Sequence, residues 1–169
     1  MKQGPRYHVK PRRQRQGITD YRRRLALLKS GKTRIVVRKS LKSIQVQFVE
    51  YTPKGDKILV STTSNELIKR YGWKYSAATT PAAYLTGLLA GKKAKEQGIS
   101  EGILDIGRYT PTTGSKLFAV LKGASDAGIS CPYDAIKSPK EDRLMGKHLN
   151  DKEITSAVNN IKSKIIGAG

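Results

Sequence analysis

A mixed α/β (α+β) domain is predicted: a three-stranded antiparallel meander, extended by a short parallel strand and flanked by helices. Three observations predict it. Three strand-like segments lie between residues 33 and 63, separated by breaks so short that neighbours must run antiparallel. Most of the remaining chain shows helical periodicity punctuated by glycine stops. A strand, helix and strand between residues 57 and 107 leave room for a parallel crossover. The 169 residues suit one compact domain with extensions, divided as a basic arm (1–17), a globular body (18–132) and a C-terminal helical extension (133–169).

The arm contains Pro5, Pro11 and Gly17, no Leu, Phe or Trp, and no helical apolar stripe, so it reads as extended chain. Thr19 is expected to cap a short helix over about 20–30, with Asp20 at its positive end and Gly31 as its stop. Tyr21, Leu25 and Leu28 fall at i, i+4 and i+7 and are expected to face the core, leaving Arg22, Arg23 and Arg24 on the remaining surface. The strand segments are 33–39, 43–51, where Ile44, Val46 and Phe48 alternate with Gln45 and Gln47, and 57–63, with Ile58, Leu59 and Val60.

Thr63-Ser64-Asn65-Glu66 has the form of a capping box for a brief helix ending near Tyr71. Thr80 is expected to cap, and Pro81 to start, a longer helix reaching about Gln97, stopped by Gly98, with a buried stripe of Tyr84, Leu85, Leu88 and Leu89. Gly87 and Gly91, one turn apart on it, are assigned to close packing against the sheet. A short buried strand over 102–107 carries Ile103, Leu104 and Ile106. The next helix is capped by Ser115, buries Leu117, Phe118, Leu121 and Ala124, and ends at Gly128. Beyond Pro132 the chain turns polar. Ser138-Pro139-Lys140-Glu141 and Asn150-Asp151-Lys152-Glu153 both fit capping boxes, and a last helix over about 151–165 should dock a stripe of Ile154, Val158, Ile161 and Ile165 on the body or on a partner.

Charge is the dominant functional signal. Lys and Arg total 33 against 13 Asp and Glu, a net charge of +20. Residues 1–39 hold 14 bases and one acid, Asp20, so +13 is concentrated there. Nine of those bases are arginine, whose planar fork suits phosphate and stacks on nucleobases, and Tyr7 and Tyr21 are interleaved with them. Such clustering is self-repelling unless a polyanion cancels it, and solubility alone is better served by acids. A membrane surface would favour an amphipathic helix with bulky apolar residues, which 2–17 lacks, so nucleic acid is the expected partner. No apolar run approaches the ~20 residues of a membrane span, and 1–17 holds no hydrophobic signal segment. Cys131 is the only cysteine and His8 and His148 the only histidines. That excludes an intrachain disulfide and a thiolate cluster, and no metal, cofactor or histidine-centred triad is expected. A soluble protein of a reducing compartment remains.

Candidate chemistry elsewhere is thin. Gly31-Lys32-Thr33 resembles the end of a phosphate-binding loop, but Ala26 stands where that motif needs glycine, and helix precedes strand instead of following it. Asp105 sits in an apolar run, yet Glu50, Asp56 and Asp126 are scattered, so it is expected to orient the Arg108 loop or pair a nearby base. Cys131 reads as a small buried residue at a turn. The loop 107–116 combines Arg108, Tyr109, four hydroxyl residues and a helix N-terminus, all groups able to hold phosphate. Because the arm buries little apolar surface of its own, it is expected to order only on its nucleic-acid partner.

Several blocks in order carry a family resemblance. They are Gly4-Pro5-Arg6-Tyr7, Thr19-Asp20-Tyr21 through Leu28, Arg34-Ile35-Val36-Val37-Arg38-Lys39-Ser40, and Gln47. Leu104-Asp105-Ile106-Gly107, Gly114-Ser115, Phe118-Ala119, Leu121-Lys122-Gly123-Ala124, Asp126-Ala127-Gly128 and Arg143-Leu144-Met145-Gly146-Lys147-His148 follow. Through nearly the whole chain the sequence resembles the large-subunit ribosomal proteins numbered eighteen, universal binders of 5S ribosomal RNA, in their archaeal form. The resemblance implies a ribonuclease-H-like arrangement without its catalytic acids, and RNA contacts by the arm, by Arg38-Lys39-Ser40 and by the loop into Ser115-Lys116. With RNA as the polyanion, the residues expected to meet it are Lys2, Arg6, Tyr7, Lys10, Arg12, Arg13 and Arg15 of the arm; Tyr21, Arg22, Arg23 and Arg24 of the first helix; Arg34, Arg38, Lys39, Ser40 and Lys42 around the first strand; and Arg108, Tyr109, Ser115 and Lys116. It also implies a non-enzymatic place in the cytoplasmic ribosome, anchoring 5S rRNA to large-subunit rRNA in the central protuberance beside neighbouring large-subunit proteins, including the other 5S rRNA-binding protein. The bacterial form carries Tyr-His-Gly-Arg where Thr113-Gly114-Ser115-Lys116 stands here, so no stacking histidine carries over. The chain ends at Gly169, so roles tied to the long eukaryotic tail are not expected. An RNA-processing enzyme with a basic docking arm, and a DNA-compacting protein, are the alternatives.

Overall fold

The computed structural model describes residues 4–149 and 153–167. Strands β1 (Arg34–Lys39), β2 (Ile44–Thr52), β3 (Gly55–Thr63) and β4 (Ile103–Asp105) form one sheet in the order β3-β2-β1-β4. β1 and β3 run antiparallel to β2, while β4 lies parallel to β1, which is the mixed sheet the sequence predicts. Alternation sorts the side chains: Ile35, Val37, Ile44, Val46, Phe48 and Val60 are buried on the core face. Phe48 pairs with Val60 but Val49 pairs with Ile58, so Leu59 is an extra residue, and Val49 and Ile58 turn to the opposite face. β4 is shorter than expected, with Ile103 and Leu104 half-buried and Asp105 buried.

Helix α4 (Thr80–Glu96) is central, packed against β2 and β3 and against α5 (Lys116–Asp126), which itself meets β1, with α6 (Glu141–Leu144) and α7 (Glu153–Gly167) also against it. It is buried on nearly every side, not along a stripe: Thr80, Pro81, Ala82, Ala83 and Thr86 are buried with Tyr84, Leu85, Leu88 and Leu89. The glycines explain the close α4–α5 approach and correct the expectation that they face the sheet. A Cβ on Gly87 would stand 2.0 Å from the Val120 carbonyl, one on Gly91 2.7 Å from the Ala127 side chain, and one on Gly123 2.1 Å from the Tyr84 carbonyl. Ile154, Val158, Ile161 and Ile165 of α7 are buried, so that stripe docks on the body.

Several caps differ from expectation by one residue, because the capping oxygen must reach an N–H two or three positions on. Asp20, not Thr19, caps α2 (Tyr21–Leu28), and Thr79, not Thr80, caps α4 through Ala82 N–H. The box before α3 (Asn65–Tyr71) is half formed: Glu66 accepts from Thr63 N–H at 3.2 Å, while the Ser64 hydroxyl is taken by Ile44 N–H. The Ser138 box does not form, since α6 starts after Lys140 and Ser138 ends a short 3-10 helix, Ala135–Lys137. The box at Asn150-Asp151-Lys152 lies outside the described residues.

The arm is not wholly extended. Arg12–Arg15 forms one helical turn, α1, which Pro11 opens with its preset φ of −51° and which the Ile18 and Thr19 amides close by bonding back to the Arg13 carbonyl. All of residues 4–16 are exposed. Helix α2 has no buried residue: Tyr21 is 38% and Leu25 56% exposed, so the predicted core face is overturned. Eight residues offer too little apolar surface to hold the helix down, and the ion pair from Arg24 to Asp56 orients it instead.

Candidate nucleic-acid interface

The root of the arm, α2 and the loop after β4 are tied together by side chains. Arg13 Nε donates to Thr19 Oγ1 at 2.9 Å, and the Asp20 carboxylate accepts from the amides of Arg22 and Arg23 at 3.0 and 3.2 Å. A guanidinium nitrogen of Arg108 donates to the Gly17 carbonyl, and Arg23 Nη1 reaches the Gly107 carbonyl at 3.5 Å. Arg22, Arg23 and Arg108 are exposed, as are Arg6, Tyr7, Lys10, Arg12 and Arg15 along the arm. Lys2 lies outside the described residues.

Two of the expected contacts turn inward. Arg34 is only 2% exposed and is held between carboxylates, with Nη1 3.1 Å from Asp105 Oδ2 and Nη2 2.8 Å from Asp56 Oδ2. Side chains alternate along β1, so Arg34 points away from the core but under α2, which removes it from the set that could touch RNA directly. Arg24 donates to both oxygens of Asp56 at 2.8 and 2.9 Å, and that bond raises its pKa above the ordinary arginine value. Burial pushes the Asp56 carboxyl up, but hydrogen bonds from Arg24 and Arg34, with their charges, outweigh it and hold the carboxyl below its ordinary range.

Asp105 does both things expected of it. It pairs Arg38, Nη2 to Oδ1 at 3.1 Å, as well as Arg34, and it accepts from Gly107 N–H at 2.8 Å, which shapes the loop leading to Arg108. Asp56, read from the sequence as scattered, shares Arg34 with it. The signal that could have found Asp56 is scarcity: residues 1–56 contain only Asp20, Glu50 and Asp56 as acids, so each is surrounded by potential partners. Among the described residues no group of three His, Cys, Asp or Glu side chains converges as a metal site.

The β1–β2 tip is a rigid basic turn. Ser40 Oγ accepts from Ser43 N–H at 2.9 Å and Lys42 N–H at 3.3 Å, presenting Lys39 and Lys42 to solvent. Tyr109 donates its hydroxyl to the Lys39 carbonyl at 2.6 Å, with Lys39 Nζ 5.3 Å from its ring centre, so the tyrosine braces this strand end. Ser115 is the N-cap residue of α5, but its hydroxyl makes no cap bond, and Lys116 is half-buried. Eight of the predicted residues (Arg13, Tyr21, Arg23, Arg24, Arg34, Arg38, Arg108 and Tyr109) line one cavity of about 900 Å³ beneath α2. Ser40, Lys42, Ser115 and Lys116 lie outside it.

Such a site offers exposed arginines for phosphate. Known sequences agree with a nucleic-acid assembly. A family model described as ribosomal large subunit proteins 60S L5 and 50S L18 matches residues 5–100 and 92–134. The large ribosomal subunit protein uL18 of Korarchaeum cryptofilum is 50% identical over 149 residues, covering 88% of this chain and 76% of that protein. The proteins of the same name from Aeropyrum pernix and Haloarcula marismortui are 47% and 48% identical over the same share of this chain, covering 70% and 79% of their own lengths. With arginines gathered on one side of a mixed sheet, and matches that span most of its length, the chain belongs to the family of large-subunit ribosomal proteins that comprises 60S L5 and 50S L18.

Proposed function

We propose that this chain is a structural, non-catalytic constituent of the large ribosomal subunit, in the cytoplasmic ribosome, that binds 5S rRNA and helps anchor it to large-subunit rRNA in the central protuberance. Its neighbours there are other large-subunit proteins, including the second 5S rRNA-binding protein. The observation that carries the reading is the way Arg108, Arg13 and Arg23 fasten the arm, α2 and the β4 loop into one arginine-rich surface. Folded RNA presents phosphates at a spacing that such a surface neutralises, while tyrosines at its margin stack on unpaired bases. The RNA-processing alternative needs free carboxylates, whereas Asp105 and Asp56 are both occupied by arginine. Chemical footprinting on 5S rRNA tests the reading, comparing the intact protein with one lacking residues 1–17. A discrete protected region that shrinks without the arm is expected. No protection, or equal competition by duplex DNA at the same salt, overturns it.

A further inference from the structure

We propose that the cavity between α2 and the open face of the sheet receives one unpaired nucleotide of the bound RNA, its base on an apolar floor and its phosphate at the arginine rim. The proposal rests on the RNA-binding reading and deepens it. Val36, Val49 and Ile58 form the floor and Leu27 of α2 the opposite wall. About 900 Å³ lies within the range of cavities that enclose small ligands and far exceeds the voids of a packed core. α2 has no buried residue, so its ion pair to Asp56 sets its distance from the floor, not apolar packing.

The second observation is how the arginines are divided. Arg34, at 2% exposure, is spent on Asp56 and Asp105 beneath the cavity, while Arg23 and Arg108 remain exposed at its mouth. A nucleotide complements both parts, with flat apolar faces for the valines and a phosphate for the rim; an aliphatic side chain of a protein would offer the arginines nothing. Six arginines line the cavity against three carboxylates, which disfavours a metal cation. Arg23 and Arg108, exposed at the mouth, meet the phosphate, and Tyr21 beside them offers a stacking face.

A free mononucleotide carries the same chemistry, so the test separates the two sources. In methyl NMR of the full chain, 5S rRNA should move the Val36, Val49, Ile58 and Leu27 resonances by ring currents. A fully paired RNA duplex should not, and a mononucleotide should do so only at far higher concentration. Val36→Phe, which fills part of the cavity, should bind 5S rRNA about tenfold more weakly with an unchanged salt dependence, the loss expected for one expelled base. If the variant fails to fold, the wild-type methyl shifts decide alone. Unmoved methyls in a complex that does form, or undiminished binding by folded Val36→Phe, overturn this proposal and leave RNA binding standing. Methyl shifts with the mononucleotide but none with 5S rRNA overturn the assignment to RNA. Absence of any complex with 5S rRNA overturns both readings.

Discussion

Arg34 and Asp105 meet diagonally across the parallel β1–β4 pair, where Asp105 stands opposite Val36, with Nη1 to Oδ2 at 3.1 Å and both side chains withdrawn from solvent. Asp105→Ala leaves that guanidinium short of one of its two carboxylates. Removing one partner of a buried ion pair costs about 3–5 kcal/mol, because the other charge stays desolvated. Urea unfolding should show a loss of that order, with 5S rRNA affinity of the remaining folded protein little changed. An unaltered midpoint would deny the pair a structural role, and an RNA-cleaving activity that Asp105→Ala abolished would revive the enzymatic alternative.

Gly123→Ala should be far more damaging than the size of a methyl suggests. Its Cβ would stand 2.1 Å from the Tyr84 carbonyl and 2.8 Å from the Leu88 amide, both backbone atoms of α4. The two helices must separate or slide, at a cost of about 1–3 kcal/mol or more. Gly4→Ala, whose Cβ meets nothing within 4 Å, is the control and should leave the melting temperature alone. Equal melting temperatures for the two variants would contradict the close α4–α5 contact.

The attachment of α2 should weaken in acid. Asp56 has its folded pKa held below the ordinary 3.8, so its bonds contribute fully above that value and are lost as pH falls through the lower folded value. Amide exchange in α2 should therefore accelerate below the ordinary carboxylate range while α4 stays protected. Arg24→Ala should raise α2 exchange already at neutral pH and leave a smaller acid-dependent step. An acid response of α2 that ignores Arg24→Ala would sink the assignment.

Arg12→Ala combined with Arg13→Ala should weaken 5S rRNA binding without lowering the melting temperature, since both residues are exposed and Arg13 contributes only one surface hydrogen bond. The slope of log affinity against log salt should become shallower by about 0.7–0.9 for each phosphate contact removed. Amides of residues 4–11 should exchange rapidly without RNA and slowly with it. Exchange equally slow in both states would contradict ordering on RNA.

Much of the fold was legible from local pattern. Alternation in β2, turn lengths of a few residues, and the isoleucine and valine stripe of α7 are properties of adjacent residues, and the structure has them where the sequence placed them. Gly87 and Gly91 were legible as close-packing positions, but their neighbour was not, because α5 lies some thirty residues on in the chain and meets α4 only in the folded body.

By itself, then, the sequence determined the mixed sheet, its helical cover and a positive charge that demands a polyanion, since these follow from periodicity and from composition. Only the tertiary structure decided which arginines are available to that polyanion. Arg22 and Arg24 are two residues apart on one short helix, yet one stays in solvent and the other closes on Asp56. The physical reason is that Coulomb attraction and burial depend on distances through space, and the carboxylates that claim Arg24 and Arg34 reach them from strands remote in the chain.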